Sequence, residues 1–505
     1  MSVSRSVVKA VPAALLSLST LLALSVSLLL SACGGGDNSG GSTPTPTPTP
    51  STANEWTWMS GSSSTRNAVG VYGTLGVASI SNVPGGREWA ASWTDSSGNL
   101  WLFGGFGYDS TGISYGDLND LWEFNPTNKQ WAWMSGSNTV GTTHGQPGVY
   151  GTLGVAATSN VPGGRVGAVS WTDGSGNLWL FGGSGLDSNG DGAWLNDLWK
   201  FNPTNKQWIW MSGSETGGAS GGQPGVYGTL GVAATSNVPG GRIGAISWTD
   251  RTGNLWLFGG TNAVSDGCFN DLWVFNPTNK EWTWVSGSST ANASGVYGTQ
   301  GVPAAANVPG GRSSAISWID SSGNVWLFGG NSVYSNGAQS GAYFNDLWEF
   351  NPTNKQWTWV SGSATINAPG IYGTLGAPAS SNVPGSRNGA ISWKDSSDNL
   401  WLFGGGGVAS ILGTYGYLND LWQFSPTTKQ WTWISGSNTV DIEGAIGQPG
   451  VYGTLGTPAP SNVPGNRFDS VSWIDSSGNL WLFGGAGVDS TGAASDLNDL
   501  WRYQP

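Results

Sequence analysis

The residues able to carry chemistry in this chain are few and unevenly spread. Its 505 residues include one histidine, His144, and two cysteines, Cys33 and Cys268. That is too little for a zinc centre or a His-based catalytic dyad. Charge recurs instead in two matched sets of six: Arg87, Arg165, Arg242, Arg312, Arg387 and Arg467, and Asp120, Asp197, Asp271, Asp346, Asp420 and Asp499. A ring of arginines would suit an anionic ligand. Matched sets more simply pair with each other, because a buried charge needs a partner. Asp187, Asn189 and Asp191, followed by Gly192, place oxygens at the first, third and fifth positions of a calcium loop. Leu198 stands where that loop needs a bidentate Glu, so no cofactor is required and calcium is the only one the sequence admits. Gly218-Ala219-Ser220-Gly221-Gly222 has nucleophile-elbow spacing but lies in a Gly-rich stretch with no strand-to-helix turn. His144 sits in a Thr-, Gly- and Pro-containing loop and reads as a solvated side chain.

The elements that must hold these residues repeat. The six arginines recur at spacings of 78, 77, 70, 75 and 80. Each copy contains four short apolar segments, A to D. In the second copy they are Arg165 to Trp171, Leu178 to Gly183, Leu195 to Phe201 and Trp208 to Ser212. Each is too short for a stable helix and is bounded by turn residues such as Asp173-Gly174-Ser175-Gly176-Asn177. Segment B, Leu178-Trp179-Leu180-Phe181, is apolar throughout, which a strand tolerates only when both sheet faces are covered. The expected fold is all-β, a six-bladed β-propeller with four antiparallel strands per blade. One Trp each on A, B and C and two on D accounts for 30 of the 32 tryptophans. The last copy ends at Pro505 without a D segment, and the missing pair is Trp56 and Trp58. The N-terminal segment Glu55–Ser60 is therefore expected to close the last blade.

These motifs resemble the kelch repeat of the galactose-oxidase-like superfamily. The matching features are apolar segments ending in Gly-Gly (Gly104-Gly105 through Gly484-Gly485), then an aromatic and a following Trp, as in Phe124 and Trp131 or Phe201 and Trp208. Kelch units run to about 50 residues, and the copies here are 20 to 30 longer. The surplus lies in the D–A and B–C links, which the up-and-down order is expected to place on one face. The resemblance implies a binding scaffold. Galactose oxidase chemistry is excluded, because that family needs two His ligands and a Cys cross-linked to Tyr. Some kelch propellers are sialic-acid epimerases, which leaves a carbohydrate-modifying enzyme as one alternative and a structural surface protein without a discrete ligand as another.

The expected role is a non-catalytic module that binds glycan or protein on the B–C and D–A loop face. The tyrosines of the Val-Tyr-Gly-Thr-Leu-Gly theme, Tyr72, Tyr150, Tyr227, Tyr297, Tyr372 and Tyr452, repeat too regularly to be specific and read as loop pins. The B–C aromatics Tyr108, Tyr115, Trp194, Tyr334, Tyr343, Tyr415 and Tyr417 differ between copies and are the binding candidates.

Residues 1–32 have a basic start, an apolar run from Val11 to Leu30 and small residues before Cys33, as a secretory signal does. Leu30-Ser31-Ala32-Cys33 resembles the bacterial lipobox, which implies lipidation of Cys33. Residues 33–53 form a Gly/Ser/Thr-Pro tether, extended where Pro alternates, and residues 54–505 form the body. A monomer is expected, lipid-anchored in the bacterial cell envelope, at the outer membrane or cell surface rather than the inner membrane. The chain carries a net charge of −12. Without Arg5 and Lys9 of the leader this becomes 16 basic against 30 acidic side chains, which disfavours nucleic acid.

Overall fold

A computed structural model describes residues 54–505, apart from 142–143, 219–220, 263–266, 333–341 and 441–446. The signal, Cys33 and the tether lie outside the described residues, as does Tyr334.

Strands A to D of the six copies lie in six antiparallel sheets, four of them four-stranded and two with a fifth short strand. Their A strands are Ala91–Thr94, Val169–Thr172, Ile246–Thr249, Ile316–Ile319, Ile391–Lys394 and Val471–Ile474. Each A strand contacts the next, and the sixth returns to the first. The B-strand Trp of every copy packs on the C-strand aromatic of the following one. Trp101 meets Phe201 at 5.5 Å, and the series closes with Trp481 on Phe124 at 5.2 Å. All four residues of Leu-Trp-Leu-Phe are buried, since each sheet has a neighbour on both faces. The arrangement is a β-propeller.

Strand Glu55–Ser60 pairs with Leu500–Gln504, placing Trp56 opposite Tyr503 and Trp58 opposite Trp501. Trp56 is 3% exposed. The strand thus occupies position D of the sixth sheet, beside the end of the chain.

Two expectations need correction. The first strand is not continuous from the arginine: Arg165–Val166 and Val169–Thr172 are separate, because Gly167 at φ 62° breaks the extended run. The D–A links also do not stand wholly on one face. Each runs along the outer edge of a sheet, as where Gly76 N–H donates to Trp133 O at 2.6 Å and Ser79 N–H to Trp131 O at 3.1 Å. Strand D would otherwise expose unpaired backbone carbonyls, and the link covers them. The B–C links remain on the face as hairpins above the sheets. The early part of the D–A links lies beside them, where Asp117 N–H donates to His144 O at 2.8 Å and Trp194 N–H to Gly221 O at 2.7 Å.

Candidate functional site at the mouth of the axial channel

The arginines are consumed by the scaffold. Arg87 Nη1 and Nη2 donate to the two oxygens of Asp120 at 2.7 and 2.8 Å, and Nε and Nη1 also reach the carbonyls of Gly85 and Gly104. Tyr72 Oη and Trp122 Nε1 both donate to Asp120 Oδ2 at 2.7 Å. The same node occurs in every copy, with Arg and Asp buried throughout. The six tyrosines are therefore loop pins. Burial, and then the adjacent Asp, pushes the Tyr72 phenol well above its usual range.

Two residues beyond each arginine the chain reaches the propeller axis. Trp89, Gly167, Gly244, Ser314, Gly389 and Asp469 all adopt left-handed backbone, with φ between 52° and 62°. Their amides form a closed circle of hydrogen bonds, each N–H donating to the preceding copy's carbonyl: Trp89 to Asp469, Gly167 to Trp89, Gly244 to Gly167, Ser314 to Gly244, Gly389 to Ser314 and Asp469 to Gly389, at 2.7–3.1 Å. Left-handed geometry costs a side-chain-bearing residue about 1–2 kcal/mol. Three positions use glycine, and three do not.

The three side chains lie against the three glycines. A Cβ on Gly167 would stand 3.3 Å from Trp89 Cε3, one on Gly244 3.0 Å from Ser314 Oγ, and one on Gly389 2.4 Å from Asp469 Oδ1. This circle and the next residue of each copy enclose a recess of about 160 Å³. Beneath it lies an axial channel of about 240 Å³, lined by Ala, Val, Ile and Ser of the six A strands. Ser170 Oγ donates to Ser92 O at 2.9 Å, and Ser247 Oγ to Ser170 O at 2.9 Å, tying neighbouring strands together.

Around the recess stand the B–C hairpins, which bring most of the candidate aromatics into pairs. Tyr108 and Tyr115 face each other at 4.6 Å, with Phe106 at 4.3 Å from Tyr115. Tyr343 and Tyr415 lie 5.8 Å apart on hairpins of adjacent copies. Tyr417 stacks on Phe468 at 4.7 Å with 28° between the rings. Tyr115 Oη donates to Asp496 Oδ2 at 2.7 Å, linking the first copy to the sixth.

Carboxyls converge at that junction. Burial, and then Asp496, raises Glu88 to about 7. Burial, and then Glu88, holds Asp469 well above the usual carboxyl range. Burial raises Asp496, against the opposing pull of the Tyr115 hydroxyl. The Tyr417 phenol is raised by burial and by Glu88, Asp469 and Asp496, so these groups share one electrostatic environment. Asp117, on the same hairpin as Tyr115, is raised by burial to about 7, although His144 and Arg165 pull it down. His144 is exposed, with Nδ1 at 3.2 Å from Tyr115 O.

The remaining candidates fall elsewhere. Trp194 is half-buried in the second copy's hairpin, where it bridges Gly222. The Asp187 carboxylate is held by backbone amides. Oδ1 accepts Asn189 N–H and Asp191 N–H at 2.8 and 3.0 Å, and Oδ2 accepts Gly217 N–H at 2.9 Å. Asp109 and Asp489 close their hairpins in the same way, as side chains of Asx turns do. Among the described residues no group of three or more His, Cys, Asp or Glu is arranged to hold a metal.

Sequence reasoning passed over Glu88, Phe468, Asp469 and Asp496, and treated Trp89 only as a surplus tryptophan. Their signal was available: Glu88 and Phe468 stand where sister copies carry Val, Ile, Ser or Asn, Trp89 and Asp469 where three copies carry Gly, and Asp496 where the others carry Asp, Trp, Cys or Tyr. Residues 229–438, which span the third to fifth copies, match the KLHDC2/KLHL20/DRC7 Kelch-repeats domain model. A solved structure titled "Structure of YjhT" aligns over 85% of this chain and 95% of its own, at 16% identity and a TM-score of 0.46. With its repeated Gly-Gly strands and a match to that family model over its third to fifth copies, the body of this chain has the fold of a kelch-type β-propeller.

Proposed function

We propose that the protein is a non-catalytic glycan-binding module whose binding face is the hairpin rim around the axial recess. The observation that carries this reading is the grouping of aromatic rings and carboxyls around the sixth copy, where it meets the fifth and the first. Tyr417 stacked on Phe468, and Tyr115 bonded to Asp496, offer flat apolar faces beside hydrogen-bonding oxygens. Aromatic faces with a few convergent polar groups suit sugar rings, which are apolar on their C–H face and polar at their edge. The test is binding of the full-length chain to an array of neutral and acidic oligosaccharides. Neutral ligands should bind, and Tyr417→Ala should weaken them at least tenfold; an array without signal ends the proposal.

One observation favours a second reading, a carbohydrate-modifying enzyme. Glu88, raised to about 7, lies in the same field as Asp469 and Asp496, and a carboxyl titrating near neutrality can act as a general acid. A change in anomeric or ring stereochemistry of a bound sugar, lost in Glu88→Gln, would establish that reading over simple binding.

We further propose that Cys33 is lipidated and that the Thr-Pro tether holds the body off a bacterial envelope membrane. The support is the Leu30-Ser31-Ala32-Cys33 sequence after the apolar run. Cys33→Ser should release the protein from the membrane fraction, and a variant that stays membrane-bound would contradict the anchor.

A further inference from the structure

We infer that the axial recess receives one terminal ring of a neutral oligosaccharide, entering end-on along the propeller axis, with Trp89 and Asp469 as its contacts. This rests on the glycan-binding reading and makes it specific.

Three observations carry the inference. The first is an expense without a structural return. Gly167, Gly244 and Gly389 show that the circle of backbone hydrogen bonds forms without side chains, and that its φ values favour glycine. Trp89, Ser314 and Asp469 adopt the same left-handed backbone with side chains attached, lining the recess. Side-chain-bearing residues held in such geometry cluster where a ligand is bound.

The second is that two of these side chains leave buried polar atoms without partners among the described residues. Trp89 Nε1 and Asp469 Oδ2 are both shielded from solvent and unbonded. The Trp89 indole N–H can only donate. The Asp469 carboxyl, pushed above its usual range by burial and by Glu88, accepts through Oδ2 and donates when protonated. That pairing suits hydroxyls, which do both. It does not suit an anion, because Glu88 lies close enough to Asp469 to repel negative charge there.

The third is shape. All six copies encircle the recess, so a chain cannot cross its floor from side to side. Its volume of about 160 Å³ matches about five liquid waters at roughly 30 Å³ each, room for one sugar ring. The ring would lie against the Trp89 face, while the rest of the oligosaccharide rises past Tyr417 and Phe468.

Saturation-transfer NMR of the full-length chain with maltotriose, mannotriose and chitotriose tests this, comparing wild type with Trp89→Gly, Asp469→Gly and Tyr417→Ala. Glycine is the residue that sister copies use, so the two axial variants keep the fold, and unchanged or raised melting temperatures verify it. The expected result is saturation concentrated on one terminal ring of a bound trisaccharide, and at least tenfold weaker binding in both axial variants. Saturation spread evenly over three rings overturns the inference. So do axial variants that bind like wild type while Tyr417→Ala does not; the rim reading then stands alone. No transfer from any trisaccharide to the wild type overturns both.

Discussion

The Asp469 carboxyl fills the space that a side chain on Gly389 would need: an ideal Cβ there stands 2.4 Å from Asp469 Oδ1, while the Asp469 amide donates to the Gly389 carbonyl at 2.8 Å. The two positions are equivalent in the repeat, yet one must be small because the other is not. Gly389→Ala is therefore expected to destabilise by about 1–3 kcal/mol, from left-handed strain together with the clash. Asp469→Gly is expected to stabilise by about 1 kcal/mol, since it removes strain and a buried carboxyl. In the double variant the alanine should cost less than it does alone, and denaturant unfolding of the four proteins measures that coupling. Strict additivity would show that the carboxyl does not lie over the glycine.

The Arg–Asp nodes predict a graded series. Arg312 gives Asp346 two hydrogen bonds at 2.7 and 2.8 Å, and Tyr297 and Trp348 bond the same carboxylate. Asp346→Asn leaves a buried guanidinium without its counter-charge and should cost about 3–5 kcal/mol. Tyr297→Phe removes one hydroxyl hydrogen bond and should cost about 1–2 kcal/mol. Equilibrium unfolding distinguishes the two. Similar small losses would mean that the node is solvated.

Most of the scaffold was legible because repetition converts one argument into six. Leu178-Trp179-Leu180-Phe181 is apolar at every position, which requires cover on both faces, and the tryptophan count required Trp56 and Trp58 at the missing D strand. The site was less legible. Attention to the links that differ between copies selected the hairpin aromatics but passed over the second position after each arginine, where Trp, Ser and Asp stand among three glycines. Only coordinates show that this position is left-handed and on the axis. The course of the D–A links was also hidden, because the backbone carbonyls of strand D that attract them leave no mark in side-chain pattern.

Stability should fall as pH rises from acid to neutral. Glu88 and Asp117 are each raised to about 7 in the folded chain, whereas unfolded carboxyls titrate near about 4. Between those values the folded state holds protons that the unfolded state has released, so unfolding frees protons and rising pH favours it. The advantage is fully present below the unfolded pKa and gone once pH passes about 7. Asp496 and Asp469 beside Glu88 act in the same direction, while His144 and Arg165 moderate Asp117. Melting temperatures from pH 4 to 8 should show Glu88→Gln and Asp117→Asn with flatter profiles than wild type, matching it in acid and exceeding it at pH 8. Variants that run parallel to wild type would place both carboxyls in solvent.

Ring closure gives the last prediction. Trp56 packs against Phe403 of the fifth copy at 5.4 Å and Tyr503 of its own sheet at 5.0 Å, as Trp208 packs against Phe103 at 5.4 Å and Phe201 at 5.0 Å in the second sheet. Replacing either Trp by Ala should remove about 3–5 kcal/mol of packing. The consequences differ, because Trp208 lies on a strand continuous with its own sheet, whereas Glu55–Ser60 is joined to the sixth sheet by hydrogen bonds and packing alone. Loosening it uncovers the edge of Leu500–Gln504 and strips the link that donates Gly456 N–H to Trp58 O at 2.8 Å. An uncovered, apolar edge strand pairs with other chains. Trp56→Ala should therefore be cut by protease near residue 60 and form oligomers visible by light scattering, at temperatures where Trp208→Ala remains intact and monodisperse. Identical behaviour of the two variants would show that the ring does not depend on its non-covalent seam.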